Sequence, residues 1–135
     1  MKKEVILDRL FEKKGFICDM DGVIYHGNRL LPGVKEFLGW LKENDKKFLF
    51  LTNSGQYTPR ELQQKLERMG LYVDESHFYT SALATAKFIS SQKPGCSAYV
   101  IGAPGLVNAL YDQGITMNSI DPDYVIVGET SSYNY

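Results

Sequence analysis

Short runs of apolar residues alternate along the chain with longer segments in which apolar residues recur every three or four positions. The runs predict strands covered on both faces of a sheet, and the spaced segments predict amphipathic helices. The predicted strands occupy residues 15–19, 47–52, 78–80, 98–101 and 124–127. The predicted helices occupy residues 3–14, the segment after Pro32, the segment after Thr58, and residues 82–91 and 106–113. Strands that alternate with helices form parallel βαβ units, so the pattern predicts an α/β fold.

Local signals predict where several of these elements begin and end. Residues 58–61, Thr-Pro-Arg-Glu, have the spacing of a capping box with proline at the first helical position, and Gly70 is expected to stop that helix. Pro32 is expected in the first turn of the helix that follows it. Residues 23–31 show no periodic pattern and are expected to be irregular. Residues 93–95, Lys-Pro-Gly, form the best linker candidate.

Composition excludes several classes of protein. The chain has 135 residues, the size of one domain, and 44% of them are hydrophobic. A net charge of −1 provides no basic surface for nucleic acid or for a membrane. Asp8 and Arg9 interrupt the apolar stretch near the N-terminus, so neither a signal peptide nor a membrane span is predicted. Cys18 and Cys96 lack metal-type spacing and are expected to be reduced thiols of a cytoplasmic protein.

Two carboxylates, Asp19 and Asp21, follow the first predicted strand with only Met20 between them. Side chains two residues apart on a strand point to the same side, so these acids repel each other unless a cation lies between them. Carboxylates are the oxygen ligands that Mg²⁺ takes, usually one or two per site together with a substrate phosphate. With a metal in place, Asp19 is a candidate nucleophile and Asp21 a candidate general acid and base.

A second polar segment, residues 52–55 (Thr-Asn-Ser-Gly), follows the second predicted strand. Ligands bind beyond the carboxyl ends of strands in open parallel sheets, and a threonine hydroxyl with nearby backbone N–H groups suits phosphate oxygens. Each segment alone has an ordinary explanation as a turn or loop. Their occurrence together at neighbouring strand ends favours a site. His26 and His77 lack the carboxylate or cysteine partners of a metal or nucleophile site and are assigned to the surface or to loops.

Both segments match known signatures. The sequences DMDGVIYHG and FLFLTN resemble the first two motifs of the haloacid dehalogenase-like superfamily, whose phosphatases use Asp-x-Asp and then a strand-terminal Thr or Ser. Further stretches resemble its NagD-type branch: LPGVKEFL, YTSALATAKFI, AYVIG, PDYVIVGET and SYN. The similarity runs from about Phe16 to the C-terminus. It implies a Rossmann-like parallel sheet, a cap domain, and phosphatase activity on nucleoside monophosphates, sugar phosphates or similar small metabolites.

The resemblance also implies roles for individual residues. Asp19 would be the nucleophile that forms an aspartyl-phosphate, and Asp21 the general acid and base. Mg²⁺ would be the cofactor, bound by the Asp19 carboxylate and the backbone carbonyl of Asp21. Asp21, Thr52 and Asn53 would hold the substrate phosphate.

The resemblance covers only part of the family pattern. Phosphatases of this kind use a later lysine and a further Asp that completes the magnesium site, both beyond a cap, whereas this sequence ends at Tyr135 inside the stretch that resembles the cap. The expected organisation is the first half of a phosphatase core in residues 1–94, followed by the start of an α/β cap in residues 95–135. Such an N-terminal portion is expected to be inactive by itself.

Other functions stay open. A truncated, non-catalytic binding or interaction module would keep the same fold without turnover. A receiver-type signalling domain would need its phosphoacceptor Asp at a later strand end, where this chain has Thr52. A homo-oligomer is compatible with the resemblance, because caps of this kind often carry dimer contacts.

Overall fold

The computed structural model of the chain describes residues 2–130, with side chains from Glu4 onward. Helices and strands alternate, so the predicted α/β class is confirmed. The chain divides into two compact units between Leu51 and Thr52. The first contains α1 (Lys2–Phe11), β1 (Gly15–Asp19), β2 (Tyr25–His26), β3 (Arg29–Leu30), α2 (Val34–Glu43) and β4 (Lys47–Thr52), which ends at the division. The second contains α3 (Pro59–Arg68), β5 (Phe78–Thr80), α4 (Ser81–Gln92), β6 (Ser97–Ile101), α5 (Pro104–Asp112), β7 (Thr116–Met117) and β8 (Tyr124–Val127).

In the first unit, β1 and β4 form a parallel pair. Gly15 lies opposite Lys47 at one end of the pair, and Asp19 lies opposite Leu51 at the other. The two apolar runs are therefore adjacent parallel strands, as predicted, and their carboxyl ends meet at the same edge.

Aromatic rings pack α2 against β1 and α1 against α2 in the first unit. The Trp40 ring of α2 lies 5.6 Å from the Phe16 ring and 5.4 Å from the Phe11 ring, centroid to centroid. It also stacks on Phe37, and the Lys46 Nζ lies 5.5 Å from its centroid. Aromatic pairs of this kind contribute about 0.5–1.5 kcal/mol beyond their area burial. Trp40 is therefore a packing residue of the first unit.

Three predictions for the first unit are wrong in detail. Helix α1 ends at Phe11 rather than at residue 14. Pro32 lies outside α2, because Gly33 at φ 86° is the N-cap of that helix, in a left-handed conformation that favours glycine. Residues 23–31 are not wholly irregular, since β2 and β3 pair antiparallel within them.

In the second unit, α3 begins as predicted. The Thr58 hydroxyl accepts a hydrogen bond from the Glu61 N–H, and the Glu61 carboxylate accepts one from the Thr58 N–H, each over 3.2 Å. Pro59 occupies the first helical position, and Gly70, at φ 88°, follows the last turn. A 3-10 turn at Glu75–His77, which was not predicted, leads into β5.

The remaining strands of the second unit form a parallel sheet in the order β7-β6-β8. Strand β7 was not predicted, because a strand of two residues is too short to show a periodic pattern. Buried side chains from α4, α5, β6, β8 and the loops between them form one hydrophobic cluster: Ala82, Ala86, Ile89, Cys96, Ala98, Leu106, Ala109, Leu110, Ile115 and Ile126. The domain boundary predicted between residues 94 and 95 stays a prediction.

Among residues 2–130, no helix has the length and apolarity needed to cross a membrane. Both cysteines are free thiols. Burial raises the pKa of the Cys18 thiol above its usual value, since the thiolate is poorly solvated there.

Candidate active site

The loop that follows β1 is held together by its own backbone. Met20 is fully buried, at 0% exposure. Its carbonyl oxygen accepts hydrogen bonds from the N–H groups of Val23, over 3.1 Å, and Ile24, over 2.8 Å. Gly22, at φ 78°, donates its N–H to the Tyr25 carbonyl over 2.8 Å. The loop therefore closes around one buried residue through contacts between near neighbours in the sequence.

Asp19 and Asp21 flank the buried Met20, and both are exposed. Both carboxylates are therefore accessible from solvent, whereas the side chain between them is not. The Met20 N–H donates a hydrogen bond to Oδ1 of Asp19 over 2.9 Å. That bond orients the Asp19 carboxylate and leaves its Oδ2 available to a ligand.

These two carboxylates fit magnesium. Mg²⁺ usually keeps several waters and binds one or two protein carboxylates together with substrate phosphate. A structural zinc site would instead need four nitrogen or sulfur ligands. Within the part of the chain that the structure describes, no group of three or more His, Cys, Asp or Glu side chains could hold a metal ion. Asp19 and Asp21 are thus two carboxylates of the kind that Mg²⁺ takes as protein ligands.

The loop that follows β4 begins at Thr52, which is 5% exposed. The Ser54 N–H donates a hydrogen bond to the Thr52 hydroxyl oxygen over 3.2 Å. Asn53, between them, is exposed. The two residues of this loop that are assigned to phosphate therefore differ in setting, because the threonine hydroxyl is hydrogen-bonded within its own loop while the asparagine is exposed.

Residues far along the chain hold this second loop. The Ser54 hydroxyl donates a hydrogen bond to Oε2 of Glu129 over 3.1 Å. In α5, a Cβ added to Gly105 would lie 2.6 Å from the Gln56 carbonyl oxygen, so the absence of a side chain permits this close approach. Sequence reasoning missed both Glu129 and Gly105. Glu129 could have been found, because it follows β8 closely, as Asn53 follows β4.

A cavity of about 310 Å³ lies beside the β4 loop in the second unit. Polar side chains from three parts of the chain line it, together with apolar side chains and glycine backbone. The lining residues are Asn53, Gly55, Ser81, Ala82, Thr85, Leu106, Ile126, Val127, Gly128 and Glu129.

The predicted site residues lie at or just after the ends of β1 and β4. Asp19 lies opposite Leu51, which directly precedes Thr52 at the end of β4. Asp19 and Asp21 belong to the first compact unit, whereas Thr52 and Asn53 belong to the second. Convergence of their side chains on one pocket stays a prediction.

The two histidines lie where the sequence assigned them, on the surface or in loops. His26 is exposed on the short strand β2, and His77 lies in the 3-10 turn before β5.

Residues 16–116 match a family model described as haloacid dehalogenase-like hydrolase. This chain belongs to that family. The resemblance of its two strand-end segments to the superfamily motifs is thereby confirmed, as is a likeness to NagD. The ribonucleotide monophosphatase NagD of Escherichia coli K12 is 43% identical over 122 residues, which cover 90% of this chain and 48% of NagD. The solved structure of the Escherichia coli K-12 NagD superposes with a TM-score of 0.84 over 90% of this chain.

Two further relatives of this haloacid dehalogenase-like chain are also named phosphatases. The dihydroxyacetone phosphatase of Corynebacterium glutamicum is 38% identical over 89% of this chain and 44% of its own length. The 4-nitrophenylphosphatase structure of Thermotoga maritima has a TM-score of 0.86 at 33% identity, covering 93% of this chain and 48% of that protein. The chain spans about half the length of these relatives.

Proposed function

We propose that the protein carrying this sequence is a magnesium-dependent phosphomonoesterase. The observation that carries the proposal is the pair of exposed carboxylates, Asp19 and Asp21, on either side of the buried Met20 at the end of β1. Family membership over residues 16–116 supports it, as does the naming of the relatives above as phosphatases. The proposed substrates are small phosphate monoesters, such as nucleoside monophosphates or sugar phosphates.

In the proposed reaction, Oδ2 of Asp19 attacks phosphorus and the ester oxygen leaves. Asp21 donates its proton to that oxygen, so the leaving group departs as an alcohol. Water then attacks the aspartyl-phosphate, Asp21 takes a proton from that water, and inorganic phosphate leaves with Asp19 restored. The hydrogen bond from the Met20 N–H to Oδ1 keeps the Asp19 carboxylate oriented throughout.

Thr52 and Asn53 are proposed to bind the phosphoryl oxygens. A bound Mg²⁺, held by the Asp19 carboxylate and the Asp21 backbone carbonyl, would supply positive charge against the phosphate oxygens. Asp21 is proposed to contact the phosphate as well, through the proton that it transfers. The resemblance to the family motifs supports these assignments, and the parallel pairing of β1 with β4 is compatible with them.

The test measures phosphatase activity in the complete product of the open reading frame that contains these residues. Variants of that product are compared with it, and the 135-residue chain is assayed in parallel. Asp19→Asn should abolish hydrolysis of p-nitrophenyl phosphate, because an amide cannot serve as the nucleophile. Asp21→Asn should slow turnover about 10²–10⁴-fold, since only proton transfer is lost. Chelation of magnesium should stop the reaction, and Asp8→Asn, an exposed acid on α1, should leave it unchanged.

Near-normal, magnesium-dependent activity in Asp19→Asn would refute the assignment of the nucleophile. A complete product that binds phosphate esters and never hydrolyses them would instead favour the non-catalytic binding module. That second function shares the fold and differs only in turnover, so the assay separates the two directly.

A further inference from the structure

The cavity beside the β4 loop contains polar groups that the proposed chemistry does not use. Ser81, Thr85 and Glu129 line it together with Asn53, and Leu106 supplies part of its apolar wall. A volume of about 310 Å³ is at the lower end of the range of roughly 300–1,000 Å³ for small-molecule sites. The space therefore suits a group of sugar size.

Hydrogen-bond acceptors outnumber donors among the polar side chains that line this cavity. The Thr85 hydroxyl donates to the Ser81 carbonyl over 2.8 Å, so toward a ligand it can only accept. Oε2 of Glu129 accepts from Ser54, and within the described residues its Oε1 has no hydrogen-bond partner. The Asn53 amide and the Ser81 hydroxyl add one acceptor each alongside their donors. A ligand rich in hydroxyl groups, which can donate to these acceptors, matches the arrangement.

Glu129 is the charged side chain among the described residues that line the cavity, and no cationic side chain lies among them. Its backbone is held at the end of the parallel sheet, because the Ala103 N–H donates to the Glu129 carbonyl over 3.2 Å. Its side chain is held by Ser54. The carboxylate therefore stays beside the cavity, where it would repel a second negative charge on a ligand.

We propose that this cavity receives the leaving group of the phosphate ester, and that Glu129 selects an uncharged, hydroxyl-bearing leaving group over a carboxylated one. The proposal rests on the phosphatase function proposed above. Asn53 links the two, because it lines the cavity and is also assigned to the phosphoryl group. A leaving group next to the phosphoryl group would thus extend from Asn53 toward Ser81 and Glu129.

The experiment uses a pair of esters that differ at one position. Glycerol 3-phosphate carries a hydroxymethyl group where 3-phosphoglycerate carries a carboxylate. The complete protein should favour glycerol 3-phosphate in kcat/KM by about tenfold or more, within the range that single pocket contacts supply. Glu129→Gln keeps the side-chain size and an acceptor for Ser54 but removes the charge, so it should reduce this preference to about twofold or less. Glu36→Gln, an exposed position on α2, should keep the original preference.

Binding is measured independently of turnover in an Asp19→Asn protein, in which the esters stay intact. Backbone amide shifts of Asn53, Ser81 and Glu129 should respond to glycerol 3-phosphate at lower concentrations than to 3-phosphoglycerate. If the complete protein hydrolyses none of the three compounds (the two esters and p-nitrophenyl phosphate), the phosphatase function is refuted. The amide shifts would then still show whether the esters bind in the cavity. An unchanged preference in Glu129→Gln, or shifts that leave the cavity amides unaffected, would overturn the role of Glu129.

Discussion

The loops that follow β1 and β4 are built in different ways. The loop after β1 closes on itself, with the Met20 carbonyl as the centre of its hydrogen bonds and Gly22 at its turn. The loop after β4 is held by Glu129, which lies 75 residues from Ser54 in the sequence. It is also held by the close approach of Gly105 to the Gln56 carbonyl. The backbone hydrogen bonds that close the first loop are therefore local, whereas the second loop is held by residues far along the chain.

This difference explains why the sequence predicted more about the first loop than about the contacts that hold the second. The hydrogen bonds of the first loop join residues that are close together in the sequence, so the Asp19-Met20-Asp21-Gly22 segment can be interpreted directly. A loop that is held by distant groups depends on which strands and helices pack beside it. Mutations should therefore affect the first loop mainly through Met20 and the second mainly through positions outside it.

The largest expected effect is at the anchor of the first loop. Met20→Ala removes a fully buried side chain and should lower the free energy of unfolding by about 2–5 kcal/mol. Met117→Ala on β7, where the native side chain is 44% exposed, is the matched control and should cost less than about 1 kcal/mol. Urea unfolding of both variants measures the difference. Equal losses would show that the first loop does not depend on its buried anchor.

The second loop is tested with a pair of glycine substitutions. Gly105→Ala places a Cβ 2.6 Å from the Gln56 carbonyl oxygen, and should lower the free energy of unfolding by about 1–3 kcal/mol. Gly39→Ala in α2 meets no atom within 4 Å, so it should stabilise the protein by about 0.5–1 kcal/mol through helix propensity.

Urea unfolding gives the sign of each effect, and amide hydrogen exchange shows where the change occurs. Exchange of residues 52–56 should become faster in Gly105→Ala and stay unchanged in Gly39→Ala. If Gly105→Ala stabilises the protein as much as Gly39→Ala does, then α5 does not position the β4 loop.

The smallest expected effect concerns a contact between residues 30 apart in the sequence. A contact between distant residues is not strong for that reason alone. Lys93 and Asp123 form an exposed ion pair, and Asp123 also accepts a hydrogen bond from the Ser97 N–H over 2.9 Å. The hydrogen bond from Lys93 is the main cause that lowers the pKa of Asp123 and raises the pKa of Lys93. Because both groups are exposed, solvent screens the pair and its contribution is small.

The pH dependence of this pair has a definite sign. The contribution of Asp123 is present above the ordinary Asp pKa of 3.8 and is lost as the pH falls through the lowered pKa of the folded protein. The contribution of Lys93 is present below its ordinary pKa of 10.5 and is lost as the pH rises through its raised pKa. Asp123→Asn should therefore lose less stability between neutral and acid pH than the native protein. If the free energy of unfolding changes with pH in the same way in both proteins, the ion pair makes no contribution to stability.

Local patterns in the sequence determined much of the fold. The run at residues 47–52, the capping box at residues 58–61 and the stop at Gly70 are all found as predicted. Each depends on residues within a few positions of one another, so side-chain periodicity and backbone preferences are sufficient. The alternation of Asp19, Met20 and Asp21 is of the same kind, and the burial of Met20 between two exposed acids follows it.

Only the tertiary structure decided which distant groups meet. The Ser54–Glu129 hydrogen bond requires the parallel sheet to place the end of β8 beside the β4 loop, and the Gly105 contact requires α5 to pack against that loop. The position of Glu129 just after β8 marks it as a strand-end residue, but nothing near Glu129 or Gly105 in the sequence identifies its partner, because strand order and helix packing set the partners. The sequence by itself therefore determined which residues carry the candidate chemistry, and the packing of the second unit decided what holds the β4 loop and lines its cavity.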